Sequence, residues 1–93
     1  MTLEIVSPEA KLFSGEVTSV TLPGVDGSFQ ILNHHAPIVS ILEKGTIKIA
    51  AASFSFSKDV AGKFTKVNDQ TYTLEITSGT IEMKDNKIIV LVD

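Results

Sequence analysis

Apolar and polar residues alternate with a period of two along most of the chain. Leu3 with Ile5, Val20 with Leu22, Ile47 with Ile49, Tyr72 with Leu74 and Ile76, Ile81 with Met83, and Ile89 with Leu91 each share one face of an extended segment. Turn signals fall between these segments at Ser14-Gly15, Pro23-Gly24, Asp26-Gly27, Lys44-Gly45, Ala61-Gly62, Asn68-Asp69, Ser78-Gly79 and Asp85-Asn86. Short strands joined by hairpins follow, and the predicted class is all-β: an antiparallel β-sandwich of about eight to ten short strands.

The last hairpin is the clearest local prediction. Thr80 to Met83 and Lys87 to Val92 are rich in strand formers, and the Lys84-Asp85-Asn86 between them holds two residues that tolerate a left-handed backbone. Four apolar residues in a row, Ile88 to Leu91, predict a central strand covered on both faces, so Ile89→Asp is expected to unfold the domain. Between Pro37 and Leu42, Ile38, Val39, Ile41 and Leu42 fit a strand or a turn of helix, and the β-branched residues among them favour a strand. From Ala50 to Gln70 the alternation of Phe54 and Phe56 with serines predicts a further strand. Asp59 to Gly62 reads as a turn, with Phe64 to Val67 returning. This is an extended hairpin at about 50–71 within a single domain spanning 1–93, and exposed aromatic residues there would mark a contact surface.

The segment Pro23 to Pro37 reads as a shaped loop. It gathers two prolines, Gly24 and Gly27 with access to φ > 0, the apolar anchors Phe29, Ile31 and Leu32, and both histidines, His34 and His35. Core packing is the plain reading of the three anchors, and a contact surface the sharper one. Neighbouring residues on an extended chain point to opposite faces, so His34 and His35 do not converge readily on one metal. The serines lack a local base-bearing arrangement, and Glu4 with Glu9 or Glu75 with Glu82 read as solvated positions.

Composition narrows the function classes. Ninety-three residues suit one core, and a net charge of -3 without a basic cluster argues against nucleic acid as a partner. The absence of cysteine removes disulfide frameworks and thiolate zinc sites together. Neither a phosphate-cradling loop nor a dinucleotide fingerprint occurs, so no cofactor is expected. No apolar run approaches the roughly 20 residues of a membrane-spanning helix, and Met1 to Pro8 does not read as a signal peptide. The chain reads as cytosolic and soluble. Low aromatic content disfavours a stand-alone sandwich that binds carbohydrate or another ligand, the alternative function, while a metal-dependent barrel enzyme would need convergent ligands.

Pro23-Gly24, Gly27, Phe29, Ile31-Leu32 and His35-Ala36-Pro37 occur in one order with Ile5-Val6-Ser7-Pro8-Glu9, Leu12-Phe13-Ser14-Gly15-Glu16-Val17, Ser78-Gly79, Ile81-Glu82 and Asn86 to Val92. This order resembles the amino-terminal β-sandwich of the epsilon subunit of F-type ATP synthase. The resemblance implies a non-enzymatic central-stalk subunit that binds the gamma subunit and the c-ring and couples ion-driven rotation to ATP synthesis. It also implies a peripheral position on the cytoplasmic face of the bacterial inner membrane, and the isolated chain is expected to be monomeric. The implied c-ring-facing residues are Asp26, Gly27, Ser28, Phe29, His34 and His35. Ser28 replaces a carboxylate common in relatives, Asn33 a proline and His34 a glycine. The 50–71 stretch is longer than the family's usual hairpin, and the family's carboxy-terminal helical hairpin would begin about where this chain stops.

Overall fold

A computed structural model describes residues 1–93 and contains ten strands and one short helix. In chain order they are β1 Thr2–Val6, β2 Lys11–Glu16, β3 Ser19–Gly24, β4 Gly27–Leu32, β5 Ile38–Leu42 and β6 Gly45–Ala50. The helical turn α1 Lys58–Ala61 precedes β7 Phe64–Asn68, β8 Thr71–Ile76, β9 Gly79–Lys84 and β10 Lys87–Val92. The strands form one curled sheet in the order β2-β1-β10-β9-β5-β3-β6-β8-β7, with β4 paired to β3 alone. The curl occurs where β3, after following β6 from Ser19 to Thr21, meets β5 at Gly24 opposite Leu42. Two layers result, β2-β1-β10-β9-β5 and β4-β3-β6-β8-β7, and they enclose 22 buried residues, all apolar.

The sheet is mixed, which corrects the antiparallel prediction: β1 runs parallel to β10, with Leu3 opposite Ile88 and Ile5 opposite Val90. Hairpin logic governs only strands joined by short turns. The first and last strands are joined by the whole domain, so nothing in the connection forces them antiparallel.

The outer layer face corrects a second expectation. On β10, Ile88, Val90 and Val92 point into the core, whereas Ile89 is half-buried and Leu91 is exposed on the opposite face. The strand is central, between β1 and β9, but covered on one face only. Period two, not the apolar run, decides burial here. The Pro37–Leu42 segment is a strand, as its β-branched residues favour.

Residues 51–57 do not form the strand that the Phe-Ser alternation predicts. The outer edge of β8 is taken by β7, which pairs Phe64 with Leu74, so a Phe54–Ser57 strand cannot add to β8. The segment instead runs as a strap along the open side of the sandwich. Phe54 and Phe56 lie 5.7 Å apart with their rings nearly parallel. Both pack on Phe13 of β2, at 6.0 and 5.9 Å, and on Tyr72 of β8, at 4.6 and 4.9 Å. Phe64 of β7 completes the cluster 4.5 Å from Phe56, and buried Val60 pins α1 to the core. Rings from facing edge strands thereby close a side that has no hydrogen-bond ladder.

Candidate functional site

Most of the segment expected as one loop is a hairpin. Pro23 and Gly24 end β3, Val25 and Asp26 form the turn, and Gly27–Leu32 is β4, paired from Gly24–Gly27 to Ser19–Leu32. Gly27 closes the turn at φ 115°, a conformation that a side chain would strain. Gly24 is not left-handed; the Phe29 ring lies where its Cβ would be. Ile31 is fully buried and Phe29 partly so, whereas Leu32 is 53% exposed and belongs to the surface.

The six candidate residues do not meet at one tip. Asp26, Gly27 and Ser28 are exposed at one end of β4, with Phe29 beside them, and His34 and His35 are exposed beyond its other end. Six strand residues at roughly 3.3 Å each hold the two groups about 20 Å apart. The turn end also carries the β5–β6 turn, where the Glu43 amide donates to the Pro23 carbonyl at 2.9 Å. The histidine end is tied to the β9–β10 turn. There Asp85 and Asn86 take φ 53° and 60°, as a two-residue hairpin of this twist requires. The Asn86 Oδ1 accepts from the His34 amide at 2.8 Å, and its Nδ2 donates to Asn33 Oδ1 at 2.9 Å. His34 itself is left-handed at φ 63°, and His35 Nδ1 lies 2.7 Å from the Ala36 carbonyl oxygen. No three His, Asp or Glu side chains converge on a common point.

A further surface joins the two ends. Val39 and Ile41 project from the outer face of β5, 76% and 64% exposed, and the register continues through Glu82 and Thr80 of β9 to Ile89 and Leu91 of β10. Beside them an open groove of about 480 Å³ is lined by Val6, Pro8, Ile41 and Leu91 among others, and reaches Asp93. In sequence Val39 and Ile41 stand out only as strand formers; the signal that sets them on the outer face is their alternation with half-buried Ile38, Ser40 and buried Leu42. The one exposed ion pair with perturbed ionisation lies elsewhere, on the β7–β8 hairpin. Lys66 Nζ is 2.9 Å from Asp69 Oδ1, and their hydrogen bond and attraction raise the lysine pKa and lower that of the aspartate.

Residues 1–61 match the model of the ATP synthase delta/epsilon chain beta-sandwich domain. The ATP synthase epsilon chain of Chlorobium limicola is 36% identical over 91 residues, which cover 98% of this chain and 86% of that one. The chain belongs to the ATP synthase delta/epsilon family. The epsilon chain of Desulforamulus reducens is 37% identical over 98% of this chain but only 57% of its own length. Among solved structures, the fold superimposes on a chain of the Tetrahymena thermophila mitochondrial ATP synthase central stalk and c-ring assembly with a TM-score of 0.71 at 20% identity. That match covers 98% of this chain and 61% of the other. A chain from the Euglena gracilis mitochondrial ATP synthase gives 0.74 at 15% identity, covering 97% and 48%. The delta/epsilon match ends at Ala61, the last residue of α1. No helix in the chain is long and apolar enough to cross a membrane.

Proposed function

We propose that the chain is a non-catalytic rotor subunit of a proton-translocating F-type ATP synthase, linking the gamma subunit to the c-ring so that ion-driven rotation reaches the catalytic head. The observation that carries this reading is the division of the candidate contacts between opposite ends of one strand, in a chain of the delta/epsilon family. Two ends suit two partners. The Asp26–Phe29 turn is assigned to the c-ring, and the His34–His35 end, continuous with the apolar face of Val39, Ile41 and Leu91, to gamma. A carboxylate missing at Ser28 costs little, since an exposed ion pair contributes about 0–1 kcal/mol.

Stiffness is the physical requirement of such a joint. A dense apolar core beneath continuous strand ladders resists shear, and β4 spans the distance between the contacts as a rigid strut. On this reading the chain uses no cofactor, is a monomer in isolation, and lies on the cytoplasmic face of a bacterial inner membrane through its partners. The test is an affinity pull-down of the tagged chain from detergent-solubilised membranes of its source. Stoichiometric recovery of gamma, c and the head subunits is the expected result. Recovery of none from membranes holding intact synthase would return the chain to stand-alone sandwich binding modules.

A further inference from the structure

We infer that Asn86 is a positioning residue for partner docking, an inference that rests on the rotor reading. Its side chain reaches from the β9–β10 turn across to the β4–β5 loop, 52 residues away in sequence, and makes both side-chain hydrogen bonds that anchor that loop. The bond to the His34 amide matters because that amide belongs to a left-handed residue, where no strand ladder supplies an acceptor. The bond to Asn33 fixes the preceding side chain. The Asn86 carbonyl also accepts from the Thr2 amide at 3.1 Å, so the clamp is itself anchored to β1. Asn33, His34, His35, Ala36 and Pro37 are all exposed. With so little burial to hold them, the clamp sets the path of the chain from β4 into the apolar strand β5.

The turn offers its own control. Asp85 and Asn86 are both left-handed, so glycine fits either site without backbone strain, but only Asn86→Gly removes the clamp. Asn86→Asp keeps an acceptor for the His34 amide, and Asn33 can turn its amide to donate to the new carboxylate. Full-length wild type, Asp85→Gly, Asn86→Gly and Asn86→Asp are compared for melting temperature, His34 amide hydrogen exchange, and affinity for synthase stripped of this subunit. Asn86→Gly is expected to melt with Asp85→Gly, yet exchange its His34 amide and release the synthase about tenfold more readily, with Asn86→Asp restoring both. Equal affinity of the two glycine variants overturns the inference, whether or not the His34 amide is exposed. So does a His34 amide that stays protected in Asn86→Gly. Failure of the wild type to bind stripped synthase overturns the rotor reading itself, and the docking role of Asn86 falls with it.

Discussion

At the residue scale, neighbouring positions on β10 have opposite fates. Val90 is fully buried, and Val90→Asp would place an unpaired carboxylate in an entirely apolar core. That cost of several kcal/mol is comparable with the whole stability of a small domain, so the variant is expected to be unfolded by circular dichroism. Ile89→Asp, one residue away, faces outward beside Glu4 and Glu82. It is expected to fold and to lose about 1–2 kcal/mol in urea titration, from like charges across two strand pairs and lost apolar contact. Gly79 is constrained by space: a Cβ there would overlap the carbonyl oxygen of Leu91 on the paired strand. Gly79→Ala should therefore cost about 1–3 kcal/mol, since backbone cannot yield as a side chain can. The Lys66–Asp69 pair titrates at both ends of the pH scale. Because the aspartate pKa is lowered, the pair's contribution is present above the usual carboxylate range and lost as pH falls through the Asp69 value. Because the lysine pKa is raised, the contribution is lost again as pH rises through the Lys66 value. Lys66→Gln should move the Asp69 titration upward, which carboxyl chemical shifts against pH would detect.

At the scale of elements, the strap from Ala51 to Ser57 departs furthest from its pattern. Alternating Phe and Ser is what a strand would show, but alternation states only which side chains share a face. It does not state whether a backbone partner is free. With the β8 edge held by β7, the two half-buried rings pack on Phe13 and Tyr72 instead, and Phe56 also on Phe64. Phe56→Ser should loosen the strap while the ladders remain, with a loss of about 1–3 kcal/mol, below the 3–5 kcal/mol of a fully buried phenylalanine. Limited proteolysis should then cut first between Ala51 and Gly62, and an unchanged cleavage pattern would show that the cluster does not hold the strap. The β3–β4 hairpin shows a related limit. Glycine, proline and histidine density reads as loop, yet Ser28, Gln30 and Leu32 alternate with Phe29 and Ile31 through β4.

At the scale of the whole molecule, dimensions of 32 × 26 × 21 Å leave the two ends of β4 on different sides of the body. The exposed Val39 and Ile41 supply the apolar surface between them. The paired substitution Val39→Lys with Ile41→Lys should leave the melting temperature within a few degrees, because both side chains are already in water. The same change should weaken recovery of gamma about a hundredfold or more, at roughly 1.5–3 kcal/mol for each apolar side chain lost from a buried interface. Unchanged recovery in the pull-down would exclude this face from docking.

What the sequence determined by itself is local: the period-two faces, the Asp85-Asn86 turn, strand β5 from its β-branched residues, and the family from motifs ordered along the chain. Each depends on residues close together, whose spacing sets side-chain direction and backbone propensity. The parallel pairing of β1 with β10, the single covered face of β10, the strap, and the Asn86 clamp on His34 were decided by tertiary structure. All four depend on which distant segment occupies a strand's free edge or an open face, a competition between parts of the chain that spacing along the sequence does not encode.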